Sequence, residues 1–121
     1  MFKIMVLIKR REGMSMADFI DYYESHHSVL AAKHLHHTQS YLRHYLTPLG
    51  DHVGGAPIEL PYDVITEMVF GDKAGFDKAM EILGTPEVRN AITSDEEHLF
   101  ERSTITFMKV DSHETDMTLH A

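Results

Sequence analysis

The sequence predicts an α+β domain: one four-stranded antiparallel sheet with helices packed on a single face. Three observations predict it. Apolar residues alternate over four separate stretches, with the two-residue period of strands. Between the first and second stretches, and again between the third and fourth, they recur at steps of three and four, the helical period. The length of 121 residues suits one domain with a single core. Strand, helix, strand, strand, helix, strand is the ferredoxin-like order.

Phe2 to Lys9 reads as the first strand, with Phe2, Ile4, Val6 and Ile8 on one side and Met5 and Leu7 on the other. Apolar residues on both sides call for cover on both faces. Arg10 to Gly13 is a charged turn, and Ser15 caps a long helix, with Asp18 three residues on. The helix runs to about Leu35 and frays near His36. Ser40 to Leu46 is the second strand, and Pro48 stops it. Thr47 to Pro61 is a loop of about fifteen residues, holding three of the four prolines and three of the seven glycines. Its length suggests a binding loop or lid.

The third strand is Tyr62 to Phe70. Asp72 caps a second helix with the stripe Phe76, Ala79, Met80 and Leu83, closed by Gly84. Thr85 followed by Pro86 starts a third, short helix, and Ser94 to Glu97 starts one more turn. Ser103 to Val110 is the last strand. Residues 1–111 form the domain; residues 112–121 are a polar tail, mobile or packed on a neighbour. The sheet face without helices needs a cover, and a second copy of the chain supplies one. Two facing sheets would enclose a barrel-like space, with the site in or beside it.

The totals exclude several functions. A net charge of −8 argues against a nucleic-acid partner, which needs a basic surface. The absence of cysteine rules out disulfides, a thiol nucleophile and thiolate zinc sites. The apolar run Ile4 to Ile8 is too short for a membrane span or a signal sequence, so a cytoplasmic protein without membrane contact is expected. No glycine-rich phosphate loop or nucleophile elbow is present, and no cofactor is expected.

One residue breaks the first helix's inner stripe. Met16, Phe19, Ile20, Tyr23, Leu30 and Ala31 are apolar, and His27 points where an apolar side chain would. An interior imidazole is either structural, bonded to a carbonyl, or an acid/base group whose proton affinity its surroundings set. Tyr22 and Tyr23, with Tyr41 and Tyr45 on the next strand, suit an apolar pocket that must hold a few oxygens. Glu67 shares a strand face with Ile65 and Val69, an expensive place for a lone charge unless it pairs, for instance with Arg43. Asp95, Glu96 and Glu97 precede Leu99 and Phe100, and one of these acids could orient His27 or carry a proton. Seven of ten histidines fall between His26 and His52, but no metal-ligand motif is among them, and no metal site is expected.

Phe19-x-x-Tyr22-Tyr23-Glu24-x-x-His27, then Ser28-Val29-Leu30, resembles the signature of the EthD family. Val29 stands where that family usually has proline. Glu67 before Met68-Val69-Phe70 resembles its third strand, and Asp95-Glu96-Glu97 with Phe100 its acidic segment. The resemblance implies a homodimeric α+β barrel, an architecture shared by cofactor-free cyclases, quinone-forming monooxygenases, isomerases and dehydratases. It favours a working His27 without choosing the reaction.

The expected function is therefore cofactor-free proton transfer (isomerisation, dehydration or cyclisation) on a small, mostly apolar, aromatic or polyketide-like substrate. His27 would be the acid/base, with Asp95 or Glu67 orienting it. Tyr22, Tyr23, Tyr45, Arg43 and Phe100 would hold the substrate. The competing expectations are a monooxygenase that turns a phenol into a quinone, and a non-catalytic binding or accessory protein.

Overall fold

A computed structural model describes residues 1–51 and 53–120. His52 in the loop and Ala121 at the end of the tail lie outside the described residues. Four strands, β1 (Phe2–Arg10), β2 (Thr38–Tyr45), β3 (Val64–Phe70) and β4 (Phe100–Val110), form one antiparallel sheet in the order β2-β3-β1-β4. The expected element order is the observed one. β1 and β3 are central, which is why both carry apolar residues on both sides.

Helices cover one face. Ile4, Val6 and Ile8 of β1 and Val64, Thr66, Met68 and Phe70 of β3 are buried there. Met5 and Leu7 of β1, Ile65 and Val69 of β3, and Leu42 of β2 lie on the other face, which no element among the described residues covers. Leu42 is exposed and the other four are half-buried.

The first helix departs from a regular α-helix. α1 (Met16–Tyr22) passes into a π-turn (Tyr23–His27) and then into α2 (Ser28–Ala32). Ser15 caps α1 by accepting from the Asp18 amide at 3.1 Å, as its position predicts. In the π-turn the Ser28 amide reaches back five residues to the Tyr23 carbonyl. The Ser28 hydroxyl donates to the Glu24 carbonyl at 2.9 Å, and that of Ser25 donates to the Asp21 carbonyl.

Burial explains the wide turn. Phe19, Tyr23, His27 and Ala31 are all buried, and each is four residues after the last. In a regular helix four residues overshoot a turn by roughly 40°, so three such steps drift by roughly 120°. That drift would carry Ala31 off the sheet. One extra residue in the turn takes up most of it, and all four side chains stay on one face.

α3 (Lys73–Leu83) and α4 (Pro86–Glu96) complete the layer. Asp72 caps α3 by accepting from the Gly75 amide at 2.9 Å, and Pro86 opens α4 at its first position. α4 runs unbroken through Glu96, where the sequence suggested a short helix and a separate turn. Its last turn therefore carries Asp95 and Glu96 over the first helix.

Strand limits also differ from expectation: β1 ends at Arg10 rather than Lys9, β2 spans Thr38–Tyr45 rather than Ser40 to Leu46, and β3 and β4 start elsewhere. β3 starts at Val64 rather than Tyr62, because Asp63 is engaged with the end of β1. Its carboxylate accepts from the Arg10 amide at 2.8 Å, and its own amide donates to the Ile8 carbonyl at 2.9 Å. β4 starts at Phe100 rather than Ser103. Arg10 pairs with Phe100 and Lys9 with Glu101 across a register shift, and the Thr104 hydroxyl accepts from the Lys9 amide at 2.9 Å. Backbone pairing extends this strand through residues whose side chains carry no strand pattern.

Phe19, fully buried, centres the core. Its ring meets those of Tyr23, Tyr45 and Phe100 edge to face, with centroids 6.0–6.1 Å apart. Residues 111–116 are irregular, and a short 3-10 turn spans Met117–His120. Among the described residues no helix is long and apolar enough to cross a membrane.

Candidate functional site

The π-turn and the last turn of α4 bring two predicted residues together. His27 Nδ1 lies 2.8 Å from Asp95 Oδ2, and the Tyr22 hydroxyl donates to Asp95 Oδ1 at 2.6 Å. The His27 side chain is 6% exposed and that of Asp95 16%. A carboxylate only accepts, so Nδ1 carries a proton, and in the neutral imidazole the lone pair is on Nε2. Among the described residues nothing hydrogen-bonds Nε2. The imidazole is wedged between the rings of Tyr23 and Phe100, at centroid distances of 5.3 and 5.1 Å. The bond to Asp95 pushes the Tyr22 phenol up to about 12, with burial and the same charge adding to it. Tyr22 thus stays a donor that steadies the carboxylate.

His27 lines a cavity of about 100 Å³. Its floor is Val6, Ile8 and Met68 of the sheet; Ala31, Leu83 and Ile92 close it from the helices, and Leu35 from the turn after α2. Phe100, Ile105 and Phe107 line the β4 side. The polar residues lining this apolar space are His27, Glu96, Tyr23, Tyr41 and Thr66. The cavity therefore lies between the sheet and its own helices. The expected place, between two facing sheets, is on the opposite side of the sheet, because the helix stripe that carries His27 packs on the sheet it is joined to.

The remaining predicted residues divide. Tyr23 and Phe100 line the cavity. Tyr22 stands behind Asp95, stacked on His26 at 4.7 Å, and does not line it. Tyr45 packs edge-on against Phe19 and Tyr23 and donates to Glu24, so it supports the wall from outside. Arg43 is also held by Glu24, through Nε at 2.9 Å and Nη2 at 2.5 Å, and lies over the Tyr41 ring at 4.7 Å. That bidentate bond holds the Glu24 carboxyl below the usual glutamate value, Tyr45 adding to it and burial opposing.

Glu67 is a correction. Strand alternation puts it on the uncovered face, away from His27, with Oε1 3.9 Å from His44 Nε2. Arg43, the partner suggested for it, faces the other way. Among the described residues no group of three or more potential ligands converges on a metal position.

Glu96, one of the three acids weighed as partners of His27, and Thr66, which was not weighed, both line the cavity. Glu96 is four residues after Ile92, on the apolar side of α4, a spacing readable in the sequence; Thr66 is the hydroxyl on the buried side of β3, which alternation alone does not identify. Burial pushes the Glu96 carboxyl above the usual glutamate value, partly offset by His27 and by Arg102, whose Nε is 3.4 Å away. A raised carboxyl favours the protonated folded form, so its ionisation costs stability as the pH rises from the ordinary glutamate range through the raised value. Glu96→Gln should therefore melt at a higher temperature than the parent at neutral pH, and the gain should vanish in acid. Thermal melts across that range check the sign; a gain that persists at low pH would mean another cause.

Fold and site together define a ferredoxin-like α+β protein with a histidine–carboxylate pair set in an apolar cavity. The chain belongs to the EthD family: the EthD domain matches residues 11–103. Among solved structures it is similar to an ethyl tert-butyl ether D (EthD) family protein of Bacillus halodurans, at 20% identity over 93% of this chain and 100% of that one, with a TM-score of 0.63. It is also similar to HapK of Hahella chejuensis, at 13% identity over 96% of each chain and a TM-score of 0.59. A dimeric protein of unknown function with a ferredoxin-like fold from Bacteroides fragilis matches at 15% identity over 93% of this chain and 95% of that one, with a TM-score of 0.54. At such identities these likenesses show the fold alone. Among curated proteins none matches the sequence.

Proposed function

We propose that this protein is a cofactor-free enzyme that moves a proton on a small, mostly apolar, oxygen-bearing substrate. One observation carries the reading: the hydrogen-bonded series Tyr22–Asp95–His27 ends in a nitrogen lone pair at an apolar cavity. A base so placed can take a proton from a carbon next to a carbonyl. Asp95 stabilises the imidazolium that forms and holds its tautomer, without taking the proton itself. Returning that proton to another atom of the same substrate gives an isomer. Returning it to a departing hydroxyl gives water and an alkene. An apolar cavity of roughly 150 Å³ takes benzene; the present one, at about 100 Å³, is smaller, so a single ring is the most it would hold, with lining side chains moving aside. A longer polyketide would have to extend beyond it.

The test uses cyclohexanone in heavy water. The purified protein, with nothing added, should replace the α-hydrogens by deuterium, read as loss of their proton NMR signal. No exchange above the buffer rate, or exchange only after a cofactor is supplied, would count against the proposal. Oxygen consumption with a phenol in place of the ketone would instead favour a monooxygenase.

The reading includes a homodimer. The uncovered sheet face, with Met5, Leu7, Ile65 and Val69, is the apolar surface that a second copy would bury, and the Bacteroides fragilis relative is described as dimeric. Leu7→Lys places a charge at its centre. Sedimentation should show a dimer for the parent and a monomer for the variant; equal sedimentation of the two would remove this face from consideration.

A further inference from the structure

Three hydroxyls meet on one wall of the cavity. Tyr23 comes from the π-turn, Tyr41 from β2 and Thr66 from β3. The Tyr23 oxygen lies 2.6 Å from Thr66 Oγ1 and 3.4 Å from the Tyr41 oxygen. Tyr23 and Thr66 are each 2% exposed. The first contact is a short hydrogen bond; the second is stretched well beyond the usual 2.7–2.8 Å mode.

Proton counting shows what the stretched contact leaves over. Each hydroxyl has one proton to give. If Thr66 donates to Tyr23, neither phenol proton is needed to complete the short bond. Both phenols can then turn their protons toward a single acceptor oxygen in the cavity. Burial raises both phenols above their ordinary value, so both stay protonated and remain donors. Tyr23 is also edge-on to the His27 imidazole, at 5.3 Å, so base and donors occupy adjacent walls of one space.

We propose that Tyr23 and Tyr41, backed by Thr66, form a two-donor cradle for a carbonyl, enolate or phenol oxygen of a single-ring ligand. The inference deepens the proton-transfer reading and rests on it for the chemistry: removal of a proton beside a carbonyl puts negative charge on that oxygen, where the two phenols would receive it. Recognition of the oxygen itself needs no turnover and can be tested alone.

The test compares phenol with toluene, which have nearly the same shape and differ in one oxygen. Each is titrated into the intact protein and followed by NMR shifts of the methyl groups of Val6, Ala31 and Met68. The parent should bind phenol more tightly than toluene. Tyr23→Phe and Tyr41→Phe should each weaken phenol binding roughly 3- to 10-fold, the value of one net hydrogen bond, while toluene binding changes less than about 2-fold. Thr66→Val, which keeps the shape, should weaken phenol binding in the same direction. Unchanged preference for phenol in both tyrosine variants would overturn the cradle, as would failure of phenol to enter the cavity. Phenol discrimination that the variants abolish, in a protein that exchanges no deuterium into cyclohexanone, would leave the cradle standing and remove the proton-transfer reading. The reverse pattern would do the opposite.

Discussion

His27→Ala should slow deuterium exchange into cyclohexanone by roughly 10²- to 10⁴-fold, the usual worth of one positioned acid/base group. Truncation removes the imidazole that lines the cavity and leaves Asp95 with the Tyr22 bond alone. The interpretation depends on a companion, because a buried ring has been deleted as well. Asp95→Asn keeps size and burial but replaces an acceptor-only group by an amide. The histidine is then no longer held in the Nδ1–H form, and its charged form loses the carboxylate's support. Exchange should fall within the same range for Asp95→Asn, with a melting temperature near the parent's. Tyr22→Phe removes a supporting hydrogen bond and should cost no more than about 10-fold. If His27→Ala exchanges as fast as the parent, the residue is a packing histidine and the base lies elsewhere.

The second large effect concerns stability. Phe19→Ala should cost about 3–5 kcal/mol, the range for emptying a fully buried phenylalanine site. The ring is completely enclosed and touches three other aromatic rings, so truncation opens a cavity beside Tyr23 and loosens the support of the π-turn. A domain of ordinary stability holds about 5–15 kcal/mol in all, so this variant should unfold at much lower urea. Leu49→Ala, at a loop position 99% exposed, should stay within about 0.5 kcal/mol and serves as the control. A Phe19→Ala loss below about 1 kcal/mol would show that the core can collapse around the gap.

What the sequence made legible was the chemistry that acts locally. The Ser15 and Asp72 caps, Pro86 at a helix start and the two-sided apolar pattern of β1 all work through immediate neighbours, and all are found where the residues point. His27 stood out because it interrupts a stripe. What could not be read depends on pairing between distant segments. Alternation along β3 separates Glu67 from Thr66, but not which of them meets the helices; that depends on how the first helix crosses the sheet. Phe100 joins β4 because Arg10 opposes it across a register shift that no local pattern signals. The wide turn of the first helix was hidden too, since steps of three and four tolerate one surplus residue without losing their apolar face.

That surplus has a consequence for length variation. Deleting one residue between Glu24 and His26 would turn the spacing of the four buried side chains from four-four-four into four-three-four, which an ordinary helix satisfies with roughly 20° of net rotation. Such a shortened chain should keep its imidazole over the sheet without the serine hydroxyls as braces. A chain one residue shorter there is therefore expected to fold with the histidine in its place.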